Sequence, residues 1–325
     1  MNWFKYIILY SVMIQLFNYS MAQFEEMIIP SDLKQQTIIT EPQTLRKGYF
    51  RAGIGATFIF ADRFFDDEGN KSYILGTNVL GKRWDYNLYL SYGITDRFQA
   101  DMYVPYTNQE DLISFRILSP LIDYDTIITN KSFARGFSDM DFGLRYLLLQ
   151  EDEIKPSLSL GVYLKVPTGR KDPYNVKSDE EYDQPTGAGH FALSADMILK
   201  KVQYPYSITF ATFGYYNFKG EKQFFPDEDP IKFKRANHMG VRCSMGIHLN
   251  DWIVLTNEIG FFAHGKSKYY YEEVETGDNG WAFKYIPNIY FQIRRIRLKE
   301  HIILPLWGKN DGADPTYAIY MQYIF

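Results

Sequence analysis

Three groups of side chains have types and spacings that could do chemistry. They are hydroxyls close to imidazoles, charges repeated within alternating segments, and acidic clusters between those segments. Ser244 precedes His248 by four residues, and His190 precedes Ser194 by four, an order that suggests a nucleophile and its base. Both pairs lie in segments of period two, where four residues span about 13 Å. A hydroxyl and its general base must come within about 3 Å, so neither pair works along one strand. All five histidines (His190, His238, His248, His264 and His301) fall on the polar face of their segments. No carboxylate or cysteine pattern accompanies them, so neither a metal site nor any other cofactor is expected. Cys243 is the one cysteine, which excludes a disulfide framework, and it falls on an apolar face as a packing residue. The clusters Asp66-Asp67-Glu68, Asp179-Glu180-Glu181, Asp227-Glu228-Asp229 and Glu272-Glu273 lack the spacing of a calcium loop and read as solvated surface. No catalytic residue is expected.

The second group is the informative one. Arg51, Asp85, Asp101, Asp141, Arg145, Lys165, Asp196, Arg242, Glu258, Lys284 and Lys299 all fall on the polar side of alternating segments, with Tyr89, Tyr103 and Tyr163 among them. Charges so placed are near balance, whereas an ion-selective pore would bias them to one sign. Two readings stay open: a polar conduit whose charges orient a solute, or a salt-bridge network filling a narrow interior. Arg145, Arg242 and Glu258 sit nearest mid-segment and are the candidates for a constriction.

The elements that must position these residues are strands. Tyr49 to Phe60 sets Phe50, Ala52, Ile54, Ala56, Phe58 and Phe60 against Arg51, Gly53, Gly55 and Thr57. The same alternation marks 84–93, 98–106, 140–148, 157–166, 190–200, 206–218, 237–249, 252–264, 281–293, 298–307 and 316–325, giving about twelve strands. Each has roughly the 9–11 residues that a tilted strand needs to cross a bilayer. Connections alternate between short turns (94–97, 151–156, 201–205, 250–251, 294–297) and long polar segments (61–83, 107–139, 168–189, 219–236, 265–280). That sorting, aromatic residues near strand ends (Trp84, Trp252, Trp281, Trp307) and 18% aromatic content point to an all-β fold. They specify a single transmembrane antiparallel barrel in an outer membrane, with short periplasmic turns. Closure satisfies every backbone group in lipid and removes sheet edges.

The N-terminus agrees with export. Residues 1–22 have a charged start, a short apolar run and a small-x-small site at Ser20-Met21-Ala22, the order of a cleaved signal peptide. Residues 23–47 read as a periplasmic N-terminal segment, either trailing or plugging the lumen, and 48–325 as the barrel. The net charge is −4 and no basic block occurs, which excludes a nucleic-acid partner.

Three stretches, Tyr92-Gly-Ile-Thr-Asp-Arg-Phe-Gln-Ala-Asp-Met-Tyr-Val-Pro-Tyr106, Gly136-Phe-Ser-Asp-Met-Asp-Phe-Gly-Leu-Arg-Tyr146 and Leu164-Lys-Val-Pro-Thr-Gly169, resemble a family of outer-membrane transporters named for the meta-pathway of phenol degradation. The resemblance implies passage of small, apolar or aromatic molecules and carries over no catalytic residues. The final strand, closing on Phe325, looks like the signal that such barrels present to their assembly machinery. The expectation is therefore a porin-like barrel for passive, non-enzymatic solute transport, located in the outer membrane of a Gram-negative-type bacterium. Outer-membrane lipid, the assembly machinery and a small solute are its partners. The alternatives are a closed barrel serving as a surface receptor or adhesion platform, and an outer-membrane hydrolase with a cross-strand Ser/His pair.

Overall fold

The computed structural model describes residues 44–325 apart from 62, 74–79, 119–124, 179–180, 224–225, 270–274 and 277–278. The expected signal peptide and residues 23–43 lie outside the described residues, as do two acidic clusters in part or whole. Twelve long strands follow one another: β1 (Phe50–Ala61), β2 (Leu80–Thr95), β3 (Phe98–Leu118), β4 (Met140–Leu149), β5 (Ser157–Val166), β6 (Ala192–Gln203), β7 (Tyr206–Asn217), β8 (His238–His248), β9 (Ile253–His264), β10 (Gly280–Ile293), β11 (Ile296–Lys309) and β12 (Thr316–Ile324). Each pairs antiparallel with its sequence neighbours. β1 pairs with β2 on one side and with β12 on the other, from Arg51↔Ile324 to Ile59↔Thr316, so the barrel is closed.

Burial is inverted relative to a soluble protein. Val162 and Ile208 on the outer face are 51% and 58% exposed, while Ser159 and Glu258 on the inner face are 0% and 5% exposed. Period-two alternation produces this directly, because successive side chains point to opposite sides of the wall. The apolar exterior is the surface that meets lipid. Exposed rings mark both ends of it: Trp84, Tyr86, Trp281 and Trp307 at the end with long connections, Tyr92, Tyr146, Tyr204 and Tyr206 at the end with short turns. The short turns are closed locally. At the β4–β5 turn, the Asp152 carboxylate accepts hydrogen bonds from the Ile154 and Lys155 N–H groups, which hold its pKa below the ordinary aspartate value.

The strands are longer than expected at the external end, and the long connections are folded. Thr107 to Asp139 reads as a polar loop, yet β3 continues to Leu118 and pairs from Tyr106↔Phe137 to Leu118↔Asp125 with a strand Asp125–Phe137. The segment is not uniformly polar: Ile113, Phe115 and Ile117 alternate with Ser114 and Arg116, a strand period inside what reads as a connection. Below Tyr106, β3 changes partner and pairs with β4, from Phe98↔Tyr146 to Tyr103↔Asp141. Segments Lys219–Lys222, Ile231–Lys234, Ser267–Tyr269 and Glu275–Thr276 form a four-stranded external sheet, and Arg63–Phe65, Lys71–Tyr73 and Asp311–Gly312 a three-stranded one. The Asp66 cluster closes the hairpin in this second sheet. Its carboxylate accepts from the N–H groups of Glu68 and Asn70 and from the Ser72 hydroxyl, an Asx-type turn.

Inside the barrel, rings lie flat across glycines of the adjacent strand. A Cβ on Gly55 would fall 2.3 Å from Cδ1 of Tyr320, its register partner on β12. Gly55→Val therefore drives the Tyr320 ring off the wall. It is expected to lower unfolding stability in urea by about 1–3 kcal/mol. Adding Tyr320→Ala should recover part of that loss, measured by the mobility shift between folded and unfolded protein on gels.

Candidate functional site

The inward residues of β1 to β7 surround a cavity of about 460 Å³. Nine residues expected on the polar face line it: Arg51, Asp101, Asp141, Arg145, Lys165, Asp196, Tyr89, Tyr103 and Tyr163. At its centre Arg145 Nη2 donates to Asp196 Oδ2 at 2.7 Å and to the Tyr163 hydroxyl at 2.6 Å, while Nη1 donates to Ser159 Oγ at 3.0 Å. Arg145 and Asp196 stand on β4 and β6, two strands apart, with Gly161 of β5 in register between them. A Cβ there would lie 2.8 Å from Asp196 Oδ1, so the glycine leaves the space in which the pair meets. Asp196 Oδ1 is buried with no hydrogen-bond partner among the described residues. A second pair, Lys165 and Asp141, is looser at 3.9 Å. Arg51 donates to Ser91 Oγ at 3.2 Å, and Gln99 Nε2 donates to Asp101 Oδ1 at 2.7 Å.

The aromatic wall runs beside these charges. Tyr89 and Tyr103 have ring centroids 4.9 Å apart, Tyr89 meets Tyr320 at 5.7 Å, and Tyr320 stacks on His301 at 5.6 Å. The Tyr103 hydroxyl donates to Asn87 Oδ1 at 2.5 Å. Phe213 and Tyr215 of β7 and Gln322 of β12 also line the cavity.

Arg242, Glu258 and Lys284 do not line this cavity. They sit on the opposite arc, where Arg242 Nη1 donates to Glu258 Oε1 at 3.3 Å and Lys284 lies 3.5 Å from Asp311 and over the Phe262 ring. The three mid-strand candidates for a constriction are thus divided between two arcs, each already ion-paired. Lys299 lies over the Tyr290 ring, and Asp85 accepts from Arg83 and Thr107. A second space of about 500 Å³, lined by Phe213, His238, Phe262, His264 and Asp311, lies toward the external rim. Phe213 borders both spaces.

Three of the histidines make structural contacts. His190 bonds Asn217 Oδ1 and Ala188 O, His264 bonds the Gly265 and Asn310 carbonyls, and His238 packs on Tyr215. His238 and His264 face each other in register, but no three potential metal ligands cluster among the described residues. The register neighbours of Ser244 are Thr209 and Glu258, neither of them a histidine. Cys243 is exposed on the outer face.

Sequence reasoning did not single out Asn87, Gln99, Ser159, Phe213, Tyr215 and Tyr320, although alternation alone could have placed them inward. It also missed Asp139, 3% exposed, whose carboxylate accepts from Gly169 N–H at 3.0 Å and Ala188 N–H at 2.7 Å. Beside it, the Thr168 hydroxyl donates to Ser138 O and accepts from Met140 N–H. The second and third stretches that carry the family resemblance are therefore clasped together, at the point where β3 changes partners. Removing one half of the buried ion pair strands the other charge. Arg145→Leu is expected to cost about 3 kcal/mol or more of unfolding stability in urea. The double change Arg145→Leu with Asp196→Leu should cost less than the single one.

No protein-family model matches the chain. Among solved structures, the COG4313 outer membrane channel from Pseudomonas putida F1 is similar, with a TM-score of 0.67 and 12% identity over 89% of this chain and 100% of that one. The P. putida toluene transporter TodX aligns at a TM-score of 0.46 with 8% identity, over 86% of this chain and 90% of that one. The β domain of the Bordetella autotransporter BrkA aligns at 0.44 with 8% identity, over 86% and 100%. The first likeness is one of fold; the other two are too distant to carry an argument. With its closed wall and apolar exterior, the chain is a twelve-stranded outer-membrane β-barrel.

Proposed function

We propose that this barrel is a passive, non-enzymatic channel for small apolar or aromatic solutes, in the manner of the transporters named for the meta-pathway of phenol degradation. One observation carries the reading: two lumen spaces of about 460 and 500 Å³ share Phe213 as a common wall, one floored by Gln99 and the other reaching His264 and Asp311 near the external rim. A solute moving between them passes that ring, with Tyr89, Tyr103 and Tyr163 along the lower space. Aromatic faces bind planar apolar solutes without demanding a net charge. The paired charges, Arg145 with Asp196 and Arg242 with Glu258, present dipoles that orient a solute while favouring neither sign of ion.

The remaining assignments belong to the same proposal. Residues 48–325 form the barrel, and the chain before them approaches its periplasmic mouth, where Leu45 N–H donates to Gln99 Oε1 and Thr44 Oγ1 to Asp96 O. The last strand, β12, is the natural contact for the assembly machinery, with Phe325 packed on Phe50 and Tyr323.

Permeation through the purified, refolded mature protein in liposomes tests the function, with graded sugars and small aromatic solutes as probes. Aromatic flux should exceed sugar flux at equal size. Phe213→Ala and Tyr103→Ala should change aromatic flux several-fold and leave the folded mobility of the barrel unchanged. Equal, size-limited flux of both solute classes would mean an unselective pore. Absence of flux in a folded barrel would move the function to the external sheets and the receptor reading.

A further inference from the structure

Six charged side chains line the lower lumen space, and four of them neutralise one another: Arg145 with Asp196 at 2.7 Å and Lys165 with Asp141 at 3.9 Å. Arg51 and Asp101 remain, one of each sign, and neither has an opposite charge within ion-pair distance among the described residues. Register sets them in one row. Arg51 of β1 pairs with Ser91 of β2, and Ser91 pairs with Asp101 of β3. Direct pairs across a sheet share a face, so all three point into the lumen.

A neutral neighbour holds each charge in place. Arg51 Nη2 donates to Ser91 Oγ at 3.2 Å, and Gln99 Nε2 donates to Asp101 Oδ1 at 2.7 Å. Gln99 is 2% exposed, so the group that holds Asp101 is itself fixed. Arg51 and Asp101 are only half-buried, and neither has a buried polar atom without a partner. The guanidinium edge that Ser91 leaves and the second carboxylate oxygen are therefore open to the lumen. Arg51 and Asp101 stand two strand spacings apart, about 10 Å between Cα atoms. Because the guanidinium already reaches Ser91, the opening left to Asp101 is one spacing, about 5 Å. Two residues farther along the same strands, about 7 Å toward the external end, Tyr89 and Tyr103 form the next inward pair. Their ring centroids are 4.9 Å apart. A cation, an anion and two aromatic rings thus meet on three consecutive strands. A simple anion would face Asp101 and a simple cation would face Arg51, so a net-neutral solute with both charges suits this corner best.

We propose that Arg51, Asp101, Tyr89 and Tyr103 form a binding site for a small aromatic zwitterion, a molecule bearing a carboxylate, an ammonium group and a planar ring. The Arg51 fork donates to the carboxylate, Asp101 accepts from the ammonium, and the ring lies against the tyrosine pair. Ser91 and Gln99 set both charges before the solute arrives, which lowers the ordering cost of binding. The site deepens the channel reading and rests on it, because only a solute that enters the lumen reaches these residues.

Binding to the full mature barrel in detergent, measured by equilibrium dialysis, tests the site. The zwitterion is phenylalanine, and phenylpropionate, phenethylamine and phenylpropanol are probes that keep its ring. Phenylalanine should bind about tenfold more tightly than either singly charged analogue, the worth of one charge-assisted hydrogen bond. Arg51→Gln should erase the advantage over phenethylamine and keep the advantage over phenylpropionate, and Asp101→Asn should do the reverse. A purely structural role would weaken all four probes alike. Equal binding of the four to the unaltered protein, or a uniform loss in both variants, would overturn the proposal. The ranking on the unaltered protein decides the matter even where a variant does not fold. Flux in liposomes separates this site from the channel reading. Passage of phenylpropanol without a binding preference for phenylalanine would leave a channel that lacks the site. The binding preference without flux of any probe would leave the site in a barrel that is not a channel.

Discussion

The structure depends on one constraint: a backbone N–H or C=O facing hydrocarbon must find its partner within the protein. Pairing β1 with β12 meets it, and most other features are consequences. Once the wall is closed, alternation can do nothing but send apolar side chains to lipid and polar ones to the lumen. The constraint is most demanding where the wall changes partners. At Ser138 and Asp139 the external hairpin arm leaves β3 and β4 takes its place. Ser138 N–H still bonds Pro105 O of β3, the Thr168 hydroxyl serves Ser138 O and Met140 N–H, and the Asp139 carboxylate takes up the amides of Gly169 and Ala188. The residues Gly136 to Tyr146 and Leu164 to Gly169 thus have a structural role at this junction, independent of any solute.

The lumen then has a second problem, which is to hold charge without paying the full desolvation of isolated ions. Its solution is local in register. Arg145 and Asp196 flank Gly161, and Arg242 meets Glu258 on the neighbouring strand, so each charge is neutralised within one or two strand spacings. The same use of glycine flattens rings such as Tyr320 against the wall. Small residues thereby keep the interior open although its side chains are large. A network that pairs its own charges and lays its rings flat leaves room for a solute, which a lumen packed with crossing side chains would not. The two readings of the charged residues, conduit or salt-bridge network, are therefore compatible in one wall.

Much of this was readable in the residues because strand period and lipid burial reinforce one another. The boundaries of Ser157–Val166 are recovered without error, and Asp101, Asp141, Arg145, Lys165 and Asp196 converge on one cavity as alternation requires. What escaped notice has physical causes. The hairpin beyond Tyr106 is passed over when its segment reads as one long connection, although Ile113, Phe115 and Ile117 alternate with Ser114 and Arg116. Which arc of the wall a charge belongs to depends on barrel closure, so Arg242 and Glu258 could not be separated from Arg145 by mid-strand position alone. Asp139 resembles any turn aspartate until the amides of a segment thirty and more residues away are seen to converge on it.

Phe213 shows how these constraints meet at one residue. It stands on β7 between the two arcs, in register with Gly240, whose missing side chain lets the ring lie against β8. The Arg242 guanidinium lies 5.8 Å over its face, and Phe262 and Tyr215 are each 5.9 Å away, so the ring is held by one charge and two aromatic neighbours. A ring fixed in this way cannot swing across the lumen freely, because it would forfeit these contacts. It forms a stationary apolar threshold between the two spaces, flanked above and below by polar groups. On the channel reading proposed above, polar solutes would lose hydrogen bonds at that threshold and planar apolar ones would gain contact with it. Selectivity of this kind requires no moving gate and no chemistry, only the position of one phenyl ring set by a glycine on the next strand.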